Sequence, residues 1–198
     1  MLSISLYRHR RKDYIAVIIV LFALPVSGEE SVYEDTLRLH VLAASDSTED
    51  QEAKLLVRDA ILCEYGNELG SQESRASAER YVKENVDAIV ETVEDTLRQH
   101  GLNYTVSVSV EKEWFESRTY DTLTLPAGEY TALKVTLGEG RGQNFFCMLY
   151  PAICVAPALG ETVDPASEAY NEDAYLMLTR DGYGIKLRTL EILSGLFG

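Results

Sequence analysis

Residues 37–60, LRLHVLAASDSTEDQEAKLLVRDA, decide the fold. Leu37, Leu39 and Val41 alternate with Arg38, His40 and Leu42, which is the two-residue period of a strand. An acidic, hydroxyl-rich turn follows. Ser47 or Thr48 offers an N-cap there, with Asp50 or Gln51 placed to complete a capping box. The amphipathic helix beyond it is predicted to run to about Tyr65. Ala53, Leu56, Val57, Ala60, Ile61 and Glu64 mark its faces, and Gly66 and Gly70 punctuate its end.

Downstream, Ala78, Val82, Val86, Ile89, Val93 and Leu97 recur at steps of three or four, predicting one longer helix from near Ser74 to Gly101. Tyr104, Val106, Val108 and Val110 alternate with Thr105, Ser107 and Ser109 as a half-buried strand does. Further strands are expected over residues 115–123, 130–137, 144–150 and 184–190, with a short helix over 190–196. Pro126-Ala127-Gly128 is a turn expected to join two strands as a hairpin. One strand, two helices and a run of strands give an α+β fold, two amphipathic helices packed on one face of a mainly antiparallel sheet.

Residues 1–28 stand apart from that domain. RHRRK at 8–12 precedes an apolar run, Ile15 to Leu24, then Pro25 and the small residues Ser27 and Gly28. This is the pattern of a secretory signal peptide, either cleaved before Glu29 or kept as an N-terminal anchor. The remainder, 29–198, reads as a single domain. At 46% hydrophobic composition the chain can fill one core, and no linker divides it. APALGETVDPASEAYNED, 156–173, lacks periodicity and is expected to be an exposed, mobile acidic loop.

Residues 1–28 carry four basic residues and one acidic residue, so without them the formal net charge moves from −14 to −17. Such a surface repels phosphate backbones and anionic headgroups, which argues against nucleic acid or a lipid surface as main ligand. It suits either a basic protein partner or solubility alone. Of the three cysteines, Cys63 falls within the first helix pattern as a small buried hydrophobe. Cys147 and Cys154 flank Tyr150-Pro151 and form either a short-loop disulfide or a pair of buried thiols.

His40, Ser45, Asp46, Asp50 and Asp59 include the residue types of a hydrolase, and His40, Ser45 and Asp46 are the alternative catalytic reading. Ser45 lies in no nucleophile elbow, however. A metal-dependent binding module built on His40, Asp46, Asp50 and Glu52 is a second alternative, although the spacing is not that of an EF-hand. The simpler reading is that Asp46, Ser47 and Thr48 cap a helix while His40 sits on a sheet face. GEGRGQN at 138–144 lacks the Lys-Ser/Thr of a P-loop and reads as a permissive loop between strands. Trp114-Phe115 and Phe145-Phe146 must each send one ring to either face of a strand. The outward rings form an apolar protein-binding patch unless helices or loop cover them.

Arg38, His40, Val41, Ala43, Ser45, Asp46, Asp50, Gln51, Lys54, Val57, Arg58 and Asp59 form one block. Leu125 to Tyr130, Ala132, Leu133, Val135, Gly138, Gly140, Gly142, Asn144, Cys147, Pro151 and Cys154 form another. Together they resemble the stage II sporulation protein R family, secreted signals of endospore-forming bacteria. Ala44 departs from the family's Asn, and Phe145 and Phe146 from its Trp pair.

The resemblance implies a signal made in the forespore and exported into the space between the septal membranes. There it would activate a mother-cell membrane protease of aspartic type, which cleaves the early mother-cell sigma factor precursor. It implies no enzyme activity in this chain, no cofactor and no metal. The residues expected to meet the protease are His40, Ser45, Asp46, Asp50, Gln51, Lys54, Arg58, Asp59, Arg141 and Asn144. A purely structural motif would look the same.

Overall fold

The computed structural model describes residues 29–120, 123–154 and 165–179. The alternating stretch becomes strand β1 (Leu37–Leu42), preceded by helix α1 (Glu29–Glu34). Helices α2 (Thr48–Gly70), α3 (Arg75–Glu84) and α4 (Val86–Gln99) follow, then strands β2 (Val106–Phe115), β3 (Arg118–Tyr120), β4 (Leu123–Leu125), β5 (Gly128–Leu137) and β6 (Asn144–Tyr150). Helices α5 (Pro165–Ala169) and α6 (Glu172–Thr179) end the described chain. The main sheet has the order β2-β5-β1-β6, and β3 pairs with β4 in a separate two-stranded ribbon. β1 is parallel to β5 and antiparallel to β6, while β2 is antiparallel to β5. The α+β reading holds, with a mixed sheet that is mostly antiparallel.

β1 occupies an inner position and is buried on both faces, so its side chains serve two cores. Leu37, Leu39 and Val41 meet Leu133, Val135 and Leu137 of β5 and Cys147 and Leu149 of β6. This face is covered by Val57, Ile61 and Leu69 of α2, Val82 of α3, and Ile89, Val93 and Leu97 of α4. The opposite face could be either bare or covered by helices and loop on the sequence reading. It is covered: Phe115, Tyr130, Ala132 and Met148 pack under Val32 of α1, Leu123 and Leu125 of β4, and Ala166, Tyr170, Ala174, Met177 and Leu178 of the last two helices.

Several boundaries differ from the sequence reading, each for a local reason. α2 continues through Gly66 to Gly70, because Tyr65 and Leu69 bury beneath it and tertiary packing overrides the glycine's weak propensity. The helix expected over 74–101 breaks at Asn85 (φ −110°, ψ 12°), whose side-chain amide donates to the Tyr81 carbonyl at 2.8 Å. Cys63 is exposed on α2 and not buried, since Ile61, Leu62 and Tyr65 take the core face.

The strand expected over 115–123 is divided between β2 and the ribbon, with Ser117 Oγ donating to the Leu125 carbonyl at 3.0 Å. Pro126 to Gly128 makes no hairpin, because β4 and β5 lie in different sheets. The chain passes there beneath aromatic rings. A Cβ at Gly128 would stand 2.4 Å from Tyr33 Cε1, and the Tyr130 hydroxyl donates to the Pro126 carbonyl at 2.7 Å. Tyr104 precedes its strand, which begins at Val106.

Within the stretch 156–173, residues 165–169 and 172–173 are helical, and Ala166 and Tyr170 are buried. Their apolar period becomes visible only when Ala174, Met177 and Leu178 are counted with Ala166 and Tyr170. Residues 156–164, the strand over 184–190, the helix over 190–196 and the export segment 1–28 lie outside the described residues. Cys147 and Cys154 are joined as a disulfide, with a Cα–Cα distance of 6.3 Å.

Burial sets the expected cost of truncation. Leu39 is 0% exposed and Leu55 is 39% exposed. Leu39→Ala is expected to cost about 2–5 kcal/mol in urea unfolding, whereas Leu55→Ala stays within about 0.5 kcal/mol of wild type.

Candidate functional site

Because β5 and β6 flank β1 on opposite sides, their connection at 138–143 crosses the C-terminal end of β1. It lies directly on the turn at 43–47. The Gly142 N–H donates to the Ala43 carbonyl at 2.9 Å and the Arg141 N–H to the Ala44 carbonyl at 3.2 Å. The approach is so close that a Cβ at Gly142 would stand 2.1 Å from the Ser45 carbonyl oxygen. Gly138 (φ 56°) and Gly140 (φ 60°) hold the left-handed backbone that brings the loop back. The alternating glycines thus turn their N–H groups to this protein's own carbonyls.

The start of α2 completes the junction. Ser47 is the N-cap, its hydroxyl accepting from the Asp50 N–H at 3.2 Å. The Asp50 carboxylate accepts from Ser45 Oγ at 2.5 Å and from the Tyr104 hydroxyl. Gln51 donates to the Ser45 carbonyl at 2.8 Å, and Asp46 accepts from the Gln143 N–H at 2.7 Å. Lys54, only 7% exposed, donates to Gln51 Oε1 at 2.6 Å and to the Gln143 carbonyl at 3.1 Å. Ser45, Asp46, Asp50, Gln51 and Lys54 therefore bind turn, helix and loop into one unit.

Three pKa shifts belong to this unit. Hydrogen bonds from Ser45 and then Tyr104 hold the Asp50 carboxyl below its ordinary value, and the bond to Asp50 pushes the Tyr104 phenol up to about 12. Burial lowers the Lys54 ammonium, with Asp46 opposing.

Other residues expected at the site lie around this junction or away from it. Arg58 Nε donates to Asp59 Oδ1 at 2.7 Å, and its guanidinium lies 5.0 Å from the centroid of Phe145. Asp59, Arg141 and Asn144 are exposed, with Arg141 paired to Glu139 at 3.2 Å. His40 belongs to the opposite face. It is 4% exposed, its Nδ1 lies 2.6 Å from Glu113 Oε2, and its ring centroid is 4.5 Å from that of Phe146.

Ser45 Oγ is committed to Asp50 and His40 to Glu113, so His40, Ser45 and Asp46 do not assemble as nucleophile, base and orienter. Among the described residues, no group of three or more His, Cys, Asp or Glu is placed to hold a metal. No helix among them is long and apolar enough to cross a membrane.

The aromatic pairs divide as strand geometry requires. Phe145 packs against the helix-covered core and Phe146 against the other, so neither forms an outward patch. Phe115 is buried and Trp114 is 70% exposed.

Three participants escaped the sequence reading as contacts. Tyr104 continues the alternation of β2 and so looks like strand. Glu113 and Lys134 are ordinary charged strand residues until the register places Lys134 beside Ser109 and within 3.1 Å of Glu113. Burial pushes the Glu113 carboxyl up, but bonds from His40 and Lys134 outweigh it and hold it below its usual value.

The β1–turn–α2 unit locked to the β5–β6 loop brings the two sequence blocks together in one place. Residues 33–159 match the family model described as Stage II sporulation protein R (spore_II_R), and the chain belongs to that family. It is similar to stage II sporulation protein R of Bacillus subtilis (strain 168), at 35% identity over 121 residues, which cover 61% of this chain and 54% of the relative. The chain thus matches about half the length of that relative. No solved structure matches it.

The Asp50–Tyr104 bond gives a signed pH dependence. A lowered carboxyl adds stability above its ordinary value of 3.8 that is lost as pH falls through the folded value. A raised phenol adds stability below its ordinary value of 10.0 that is lost as pH rises through about 12. In Tyr104→Phe the tyrosine that titrates near pH 12 is expected to vanish from an ultraviolet tyrosinate titration. The Asp50 carboxyl, followed by NMR, should move up toward its ordinary value.

Proposed function

We propose that this family member is an exported developmental signal, and that the outer surface of the turn–α2–loop junction binds and activates a membrane-embedded sporulation protease. In this reading the chain is made in the forespore and residues 1–28 direct its export into the intermembrane space of the septum. The protease, of aspartic type in the mother-cell membrane, then processes the early mother-cell sigma factor precursor. The observation that carries the reading is the family match over 33–159, which includes the whole junction.

The geometry supports an activator over a hydrolase, because Ser45 is engaged with Asp50 at the start of α2 and His40 with Glu113 on β2. His40 and Lys54 are buried and brace the surface from within. Contact falls to Asp46, Arg58, Asp59, Arg141 and Asn144. Activation requires only that this surface bind the active arrangement of the protease better than the inactive one. Exposed charges of this kind contribute encounter rate and specificity.

The test is reconstitution of the protease and its sigma factor precursor in a non-sporulating cell, with and without this chain. Precursor cleavage is expected only when the chain is present and exported. Cleavage in its absence, or none with every component correctly placed, would overturn the reading. Arg58→Glu combined with Asp59→Lys is expected to lower cleavage about tenfold or more with an unchanged melting temperature. Ser45→Ala should retain cleavage, and its complete loss in a folded protein would restore the hydrolase.

A further inference from the structure

β1 projects two basic side chains into the core opposite the long helices. Arg38 is 0% exposed. Its Nη2 donates to the Tyr120 hydroxyl at 2.6 Å, but Nε and Nη1 are buried with no hydrogen-bond partner among the described residues. His40, two residues along the same face, has its Nε2 in the same condition. The rings beside Arg38 do not supply what is missing. Phe115, Tyr130 and Tyr120 lie 4.1, 5.1 and 5.9 Å from the guanidinium carbon, where their π faces attract the charge but offer no in-plane acceptor to its N–H groups.

In a chain of net charge −14, the charged side chain that bears most on Arg38 among the described residues is another cation. Arg118 lies 5.0 Å over Phe146 and its charge opposes that of Arg38. The carboxylates on this side of β2 are already engaged, Glu111 by Lys134 and Glu113 by Lys134 and His40. Buried charges in folded proteins are paired, and a guanidinium left with unmet donors signals an absent acceptor.

We propose that Arg38 and His40 form a binding site for a carboxylate group, on the sheet face beneath the β3–β4 ribbon. The planar guanidinium matches the planar, singly charged carboxylate, and the aromatic walls give a dry setting in which that charge-assisted bond is strong. In the imidazolium form His40 keeps its Nδ1 bond to Glu113 and donates from Nε2 to the same ligand. Entry requires local opening of the ribbon. Two strands of three residues each are marginal as an independent unit, so such opening costs little compared with unfolding. The carboxylate comes either from a free small acid or from an acidic side chain of a peptide.

The test is NMR on the isotope-labelled full chain, following the Arg38 Nε–H and the His40 ring nitrogens. Sodium acetate and doubly capped aspartate are each titrated at constant ionic strength against chloride. Saturable shifts of both groups with acetate are expected. Saturation by capped aspartate as well assigns the site to a peptide side chain, and saturation by acetate alone assigns it to a free acid. Arg38→Lys keeps the charge but not the planar donor set and is expected to weaken binding about tenfold or more, while Ser45→Ala binds as wild type. No saturable shift with either probe, or equal shifts with chloride, would overturn the proposal and leave ordered water as the missing acceptor.

Discussion

The burial of β1 on both faces governs the rest of this structure. A strand with a neighbour on either side and helices above and below has no solvent side to which a polar residue can turn. Every second side chain must satisfy a different core. Leu37, Leu39 and Val41 do so by apolar packing against α2 to α4. Arg38 and His40 need other devices, which are Tyr120, three aromatic rings and the carboxylate of Glu113. Those partners fix where β2 must end and where the β3–β4 ribbon must lie.

The same strand explains why two distant sequence blocks act together. With β5 and β6 on opposite sides of β1, the connection between them has to pass over the end of β1, where the chain is already turning into α2. Two backbone segments then compete for one place. Gly142 lets them touch, because any side chain there would collide with the Ser45 carbonyl. Asp46 and Lys54 use the contact by bonding the backbone of Gln143 from both sides. The hydroxyl-rich turn and the glycine-rich loop are two halves of one crossing.

Much of this was legible in the sequence because periodicity reports burial. The strand at 37–42, the N-cap at Ser47 and the start of a helix near Ser74 follow from local pattern and cap chemistry. Local pattern failed where a long-range contact decided the outcome. Gly66 remains helical because of what Tyr65 and Leu69 pack against, and Pro126 to Gly128 fails to make a hairpin because its flanking strands belong to different sheets. His40 looked like part of a surface motif because it is adjacent in sequence to Ser45 and Asp46. Strand alternation and the turn between them separate it from those residues, and nothing local announces that its partner is Glu113, 73 positions away.

This division of labour limits what kind of contact the junction can make. Lys54, Asp50 and Gln51 spend their hydrogen bonds inward, so the outer surface is left to Asp46, Arg58, Asp59, Arg141 and Asn144. Such groups steer encounter and select a partner, while affinity ordinarily comes from aromatic anchors. Trp114 is exposed, but its register partner Glu129 lies near the start of β5, whereas the junction adjoins Leu137 at its end. At about 3.3 Å per strand residue, the two places are roughly 25 Å apart. A contact centred on the junction therefore draws little from Trp114 and depends on a surface already held in its bound shape, which lowers the ordering cost of association. The inward hydrogen bonds of the motif supply that rigidity, so in the proposed contact its structural and binding roles would be the same role seen from two sides.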